Sequence, residues 1–330
     1  MRYDDFRIRR SSDRRDEENM NKAKVIAVAG PTASGKTSLA VELALRLDGE
    51  IISCDSMQVY KEMDIGTAKV SAEEARGVPH HLTSIISCGE SFSCSDYVSL
   101  AEKAADDIIS RNKTPIFCGG TGLYLDSVLK GTRLSDAGID REYRAALMKK
   151  SPDELYAQLL SVDPEAAGKI HRNNVRRVIR ALEIYHVTGK TKTVWDRESR
   201  ENGDRYDATV IGLDYHDREI LYRRIDKRVD IMMDRGLLDE VKRLDTPCFR
   251  ASTASQAIGY KELLSYIDGV CTLSEAVEEI KKSSRAYAKR QLTWFRRNPE
   301  INWIYPDKCP EGQDNFEFIV NSAINIININ

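Results

Sequence analysis

Long apolar runs are missing from this sequence: the longest unbroken stretches extend only a few residues, whereas a membrane-spanning helix needs about 20. No apolar segment follows a basic start in the manner of a secretory leader, so a cytoplasmic protein is expected. Cysteine is sparse. The seven residues (Cys54, Cys88, Cys94, Cys118, Cys248, Cys271, Cys309) form no C-x-x-C pair and no Cys/His zinc spacing, which points to reduced, mostly buried thiols. An excess of one charge is also absent. With 50 Lys and Arg against 52 Asp and Glu, the net charge of −2 does not announce a nucleic-acid binder. What remains is 330 residues at 41% hydrophobic and 31% charged, a globular composition with room for one large or two modest domains.

The distribution of charge says more than its total. From Lys281 to Arg297 there are seven Lys or Arg and no acid, interleaved with Tyr287, Trp294 and Phe295. In NNVRRVIR, Arg176, Arg177 and Arg180 fall within about a turn and a half of helix. Both stripes fit a polyanionic partner at one face, and both equally fit a solvated helix surface.

Along the chain, residues 1–21 are charged and aperiodic and read as a disordered tail. Lys24–Ala29 reads as a buried strand, followed by a loop and a helix from Ser38 to Leu47. GEIISCDS, TPIFCGGTGLY and ATVIGLD supply further strands, with a helix over Ser95 to Ser110 between the first two. Alternating strands and helices predict an α/β core with a mostly parallel sheet, built from 22–132 and 206–310. Residues 133–205 show helical patterns and no strand, which makes them a helical insertion. Residues 311–330, ending in the low-complexity NSAINIININ, are expected as a C-terminal tail.

Gly30, Pro31, Thr32, Ala33, Ser34, Gly35, Lys36 and Thr37 match G-x-x-x-x-G-K-[ST] between a strand and a helix. Such a loop surrounds phosphate oxygens with backbone N–H groups, adds the lysine's charge, and presents a Thr hydroxyl able to reach Mg²⁺. The loop alone serves nucleotide hydrolysis, phosphorylation, or the holding of another phosphorylated group. A dinucleotide site is disfavoured, because the G-x-G-x-x-G spacing is absent. Asp55 ends the second strand at the carboxyl edge of the sheet, where it can ligate Mg²⁺ through water, cap a helix, or take a proton from a substrate. The strand ending in CGGT carries no acid for Mg²⁺, which argues mildly against a motor or switch ATPase.

With GPTASGKT, SCDSMQVYKEMDIGTAK, GGTGLYLDSVLKG, DPEAAGKIHRNNVRRVIRALEIYHVTGK, RIDKRVDIMMDRGLLDEV, SQAIGYKEL and SRAYAKRQLTWFRR in this order, the chain resembles the tRNA dimethylallyltransferases (isopentenyltransferases) in their bacterial-type form. The resemblance spans roughly residues 24 to 305. It implies a P-loop NTPase-like core with a helical insertion that contacts tRNA. It also implies transfer of a dimethylallyl group from its diphosphate to N6 of the adenosine 3′-adjacent to the anticodon. Mg²⁺ as cofactor and a monomeric state are expected besides. On that reading the loop holds a diphosphate leaving group. Asp55 is the general base, Arg228 (the second arginine of R-I-x-x-R) is catalytic, and Thr37 serves catalysis and Mg²⁺. Contacts to the tRNA anticodon stem-loop fall on Asp55, Ser56, Met57, Gln58, Thr121, Arg144, Arg176, Arg177, Val178, Ile179, Arg180, Gln256, Ala257, Ile258, Gly259, Tyr260 and Lys261. The rival readings are a small-molecule P-loop kinase, which has no need of the basic helices, and a nucleic-acid-stimulated NTPase, which leaves Asp55 unexplained.

Overall fold

The apolar hexapeptide Lys24–Ala29 forms β1, and parallel neighbours on both edges explain why it lacks polar alternation. The computed structural model describes residues 22–132, 140–199 and 203–329. The expected N-terminal tail and the start of the insertion at 133 therefore lie outside the described residues. The other strands are β2 (Gly49–Ser53), β3 (His80–His81), β4 (Thr114–Gly119), β5 (Asp207–Leu213) and β6 (Asn302–Ile304). They form one all-parallel sheet in the order β3-β2-β4-β1-β5-β6. This is the α/β core anticipated from the alternation of strands and helices. The two edge strands were not anticipated: β3 has two residues and β6 three, too short for any periodicity.

One face of the sheet buries Ile26, Val28, Ile116 and Ile211 under Leu39 and Leu43 of the helix Lys36–Arg46. The alternate residues point to the opposite face. There Phe117 meets Tyr206, and Tyr97 of the helix Cys94–Ser110 stacks on Tyr124. That helix starts on a capping box, in which Ser93 and Asp96 satisfy each other's backbone N–H. Segment 311–330 is a correction to the expected tail. It contains the helix Asn315–Ile329, whose Ile319, Val320 and Ala323 are buried in the cluster on the first face. Its Asn residues are what disguise the apolar stripe as low complexity.

The long pattern after β5 divides at Gly236, whose φ of 93° separates the helices Arg218–Asp234 and Leu237–Leu244. With Tyr260–Ile267 and Leu273–Phe295, these helices build a second cluster around Val229, Val241, Phe249, Tyr260, Leu263 and Ile280, which also covers Val59 and Met63.

The chain divides into two compact units, one built from residues up to Leu129 and from Arg205 onward, the other Lys130–Asp204. The second unit is helical throughout its described residues. Leu147, Leu155, Leu159, Val178, Ile179 and Leu182 form its core. Asp163, itself buried, caps the helix Pro164–Lys169 through Ala166 N and accepts from Thr193 N and Oγ1, which ties the last helix of the unit to its middle.

Candidate active site

The phosphate-type loop leaves β1 through Gly30 (φ 148°), where a Cβ would come within 2.6 Å of the Leu213 carbonyl. It then turns through left-handed Ala33 and Gly35 into the helix Lys36–Arg46. The first amides of that helix have no intrahelical acceptor and carry its positive dipole end, an arrangement that can receive an anion. Lys36 folds back so that Nζ donates to the Pro31 carbonyl at 2.8 Å. Enclosure of this ammonium lowers its pKa to about 8, with Arg228 pushing the same way and Cys118 and Asp55 opposing. A bound anion would reverse that shift. Thr37 is exposed at the end of the loop. Arg224 braces the loop from outside, its Nε donating to the Ala33 carbonyl at 2.9 Å.

Asp55 stands two residues beyond β2. Its Oδ1 accepts from Met57 N at 2.8 Å and Gln58 N at 3.3 Å, an Asx-type turn that fixes the carboxylate. No hydrogen bond among the described residues engages Oδ2, which leaves one oxygen for a substrate. Thr121, two residues beyond β4, holds both neighbours of Asp55. Its N–H donates to the Cys54 carbonyl at 3.0 Å, and its Oγ1 accepts from Ser56 N at 3.1 Å. Gly119 and Gly120 precede it because Cβ atoms there would lie 2.2 Å from Cys54 O and 2.0 Å from Gln291 Nε2.

Asp55 and Arg228 line one cavity of about 310 Å³ with Thr32, Tyr287 and Arg290. One wall is apolar, made by Met57, Ile225, Val229, Met232, Ile258 and Ile280, and Gln256, Gly259 and Lys261 complete the rim. A few polar groups converging on an apolar cleft of this size is the usual build of a small-molecule site. Burial lowers the pKa of the Arg228 guanidinium, with Asp55 opposing, and its Nε is buried without a hydrogen-bond partner. Such a donor is poised for an incoming acceptor. Burial pushes the Tyr287 phenol up to about 12, and the Asp55 charge adds to the effect.

The structure sorts the expected RNA contacts. Ser56, Met57, Gln256, Ala257, Ile258, Gly259 and Lys261 join Asp55 at the cavity. The Gln58 side chain is bound internally: it accepts from Ser53 Oγ at 3.0 Å and donates to Thr67 O at 3.1 Å. Tyr260 is fully buried, its hydroxyl donating to Glu240 at 2.6 Å. In the helical unit Val178 and Ile179 are buried, so their side chains are core and not contact surface. Arg144 directs Nε and Nη2 onto the buried Glu183, with Nη2 at 2.8 Å, and Arg180 lies 3.7 Å from the same carboxylate. Arg176 and Arg177, by contrast, are exposed in the first turn of the helix Val175–Thr188. Cations there oppose the helix dipole, so helix stability does not account for them.

Sequence reasoning missed Gln291, Tyr287 as a cavity residue, and Glu240. Glu240 is buried and accepts from Asp64 N, Ile65 N, Gly66 N and Tyr260 Oη, which fixes the loop whose Gly66 and Thr67 line the cavity. For Glu240 the only sequence signal was a charge on the apolar face of the helix LLDEVKRL, and that cannot name partners some 175 residues away. Among the described residues no helix is long and apolar enough to cross a membrane, and no group of three or more His, Cys, Asp or Glu could hold a metal.

Comparison with known proteins agrees with this geometry. The IPP transferase family model matches residues 58–298, and an isopentenyl transferase model matches residues 23–82. The tRNA dimethylallyltransferase of Anoxybacillus flavithermus is 54% identical over 85% of this chain and 90% of its own. That of Bacillus subtilis is 50% identical over 87% and 92%. The crystal structure of a Staphylococcus epidermidis tRNA delta(2)-isopentenylpyrophosphate transferase superposes with a TM-score of 0.69 at 42% identity, covering 94% of this chain and all of that one. A eukaryotic dimethylallyltransferase acting on tRNA gives 0.79 at 33% identity, covering 93% and 80%. The P-loop fold, the strand-end carboxylate and these matches together make the chain a member of the IPP transferase family, that of the tRNA dimethylallyltransferases.

Proposed function

We propose that the protein transfers a dimethylallyl group from dimethylallyl diphosphate to N6 of the adenosine 3′-adjacent to the anticodon of tRNA, releasing diphosphate. The observation that carries this reading is the pairing of an anion-binding loop with an apolar-walled cavity and a carboxylate that keeps one oxygen free. An allylic diphosphate needs both halves of such a site, whereas a hydrolase has no use for the apolar wall. The N6 lone pair of adenine is delocalised, so attack on C1 of the donor is helped by proton removal as the C–N bond forms. Asp55 accepts that proton, and the breaking C–O bond leaves its electron pair on the diphosphate. Lys36, the loop amides and Arg228 stabilise the charge that grows there. Thr37, with no acidic cage among the described residues, suits Mg²⁺ carried largely by diphosphate oxygens and water. When bound, that ion would supply further charge neutralisation on the leaving group. The target base must leave its stack to reach the cavity, a lesser demand in an anticodon loop than in a duplex. The exposure of Arg176 and Arg177 supports a role for them in meeting RNA phosphates.

Purified protein incubated with labelled dimethylallyl diphosphate, ATP and unmodified tRNA tests the reading. Label should enter the tRNA, inorganic pyrophosphate should compete with the donor, and ATP should be neither consumed nor inhibitory. ATP turnover stimulated by tRNA, without prenyl transfer, would overturn it.

A further inference from the structure

The basic stretch SRAYAKRQLTWFRR carries one buried polar residue that contributes nothing to its charge. Gln291 lies on the helix Leu273–Phe295 and is 5% exposed, between Ala288 and Leu292, which are both buried. Packing alone would be met by an apolar residue there. Instead both ends of its amide are used. Oε1 accepts from Thr32 N in the phosphate-type loop at 2.9 Å, and Nε2 donates to the Gly120 carbonyl at 2.9 Å. These partners lie 259 and 171 positions away in sequence. Gly120 is followed by Thr121, which binds the residues on either side of Asp55. One side chain therefore joins the loop that would hold the leaving group to the turn that holds the general base.

We propose that Gln291 is a positioning residue of the transfer reaction, a latch that sets the separation between the diphosphate loop and Asp55. The proposal rests on the function proposed above. It follows from what the reaction requires: the base acts only while C1 of the donor is being attacked, so the two half-sites must be held in register, and displacements of about 1 Å in such arrangements cost on the order of 10²-fold in rate. Gly120 is the other half of the device. A Cβ there would stand 2.0 Å from Nε2 and 3.2 Å from Cδ of Gln291, with no other atom closer than 3.5 Å, so Gly120→Ala strikes the latch alone.

The test is a cycle of Gln291→Ala, Gly120→Ala and the double variant. Single-turnover prenyl transfer is measured beside tRNA affinity, folded fraction by circular dichroism, and hydrogen exchange at the Thr32 amide. Each single variant should lower the transfer rate by about 10–100-fold with tRNA affinity within about twofold. Thr32 exchange should accelerate. The double variant should be no slower than Gln291→Ala, because removing the side chain removes the collision. A Gln291→Ala rate within about threefold of wild type overturns the proposal, as does a rate loss matched by lost folded protein or lost tRNA affinity. Strictly additive losses in the double variant overturn it as well. If the wild-type protein transfers nothing, the functional reading fails separately, and Thr32 exchange still decides whether the latch holds the loop.

Discussion

Replacing Glu240 by Gln changes a single property of a buried side chain, because shape is kept while one accepting oxygen becomes an NH₂ group. Glu240 is 3% exposed and receives four hydrogen bonds: Oε2 from Asp64 N (3.0 Å) and Ile65 N (2.8 Å), Oε1 from Gly66 N (3.0 Å) and Tyr260 Oη (2.6 Å). A glutamine is best tolerated with its NH₂ toward Tyr260, whose hydroxyl can turn to accept, and the Gly66 amide then faces a donor; the opposite orientation sets the NH₂ against the amides of Asp64 and Ile65. One buried backbone donor is then orphaned at about 1–3 kcal/mol, so the variant should lose about that much. At about 2–4 °C per kcal/mol for a unit of this size, the melting temperature should fall by about 2–12 °C. The same loop supplies Gly66 and Thr67 to the cavity, so transfer should slow even where the protein remains folded. Thermal melting and hydrogen exchange at the amides of Asp64, Ile65 and Gly66 measure both effects. A melting temperature within about 2 °C of wild type with unchanged exchange would refute the claim that this carboxylate holds the loop.

Replacing Arg176 and Arg177 by Ala should weaken tRNA binding and make its dependence on log salt shallower by roughly 0.7–0.9 per lost phosphate contact, and an unchanged slope in a binding titration would assign them no phosphate. Removing the buried carboxylate by Glu183→Ala should destabilise the protein by about 1–3 kcal/mol, because Arg144 and Arg180 lose the partner they face while remaining partly exposed to water, and denaturant unfolding of the variant checks this. Glu50 is buried and held by Arg111 and His81, and the Arg111 hydrogen bonds lower its pKa to about 2. Since the folded value is depressed, its stabilisation is complete above the unfolded value near 4.5 and drains away as pH falls towards 2. Allowing for screening at the partly exposed Arg111, this is roughly 2 kcal/mol. Glu50→Gln should flatten the acid limb of a melting-temperature profile, and an unaltered limb would contradict the assignment.

Much of the core was legible because it rests on local signals. The run Lys24–Ala29, the glycine and lysine spacing of residues 30–37 and the strand-end position of Asp55 each follow from a handful of adjacent residues. The insertion was legible as helices without strands, but which of its residues face outward was not. Val178 and Ile179 share a segment with Arg176 and Arg177 yet point into the core, a division that helical phase decides once the neighbouring helices are in place. The C-terminal helix was obscured because Asn alternates with Ile, and the burial of Ile319, Val320 and Ala323 appears only when the sheet is there to receive them. Gln291 and Glu240 were illegible for a different reason. Each is a single polar residue whose meaning lies in backbone groups more than 170 positions distant, and no window of sequence contains both ends of those bonds.

The central claim, that one carboxylate removes the N6 proton beside a loop that takes the diphosphate, is tested most directly by Asp55→Asn. Asparagine keeps the size and retains an oxygen for the turn amides of Met57 and Gln58, but it cannot take a proton. Single-turnover transfer to tRNA, measured beside a binding titration on the same RNA, should show a rate lower by about 10²–10⁴ with affinity nearly unchanged, the signature of an interaction needed mainly in the transition state. Transfer at the wild-type rate would place the base elsewhere, and equal losses of rate and affinity would make Asp55 a recognition residue.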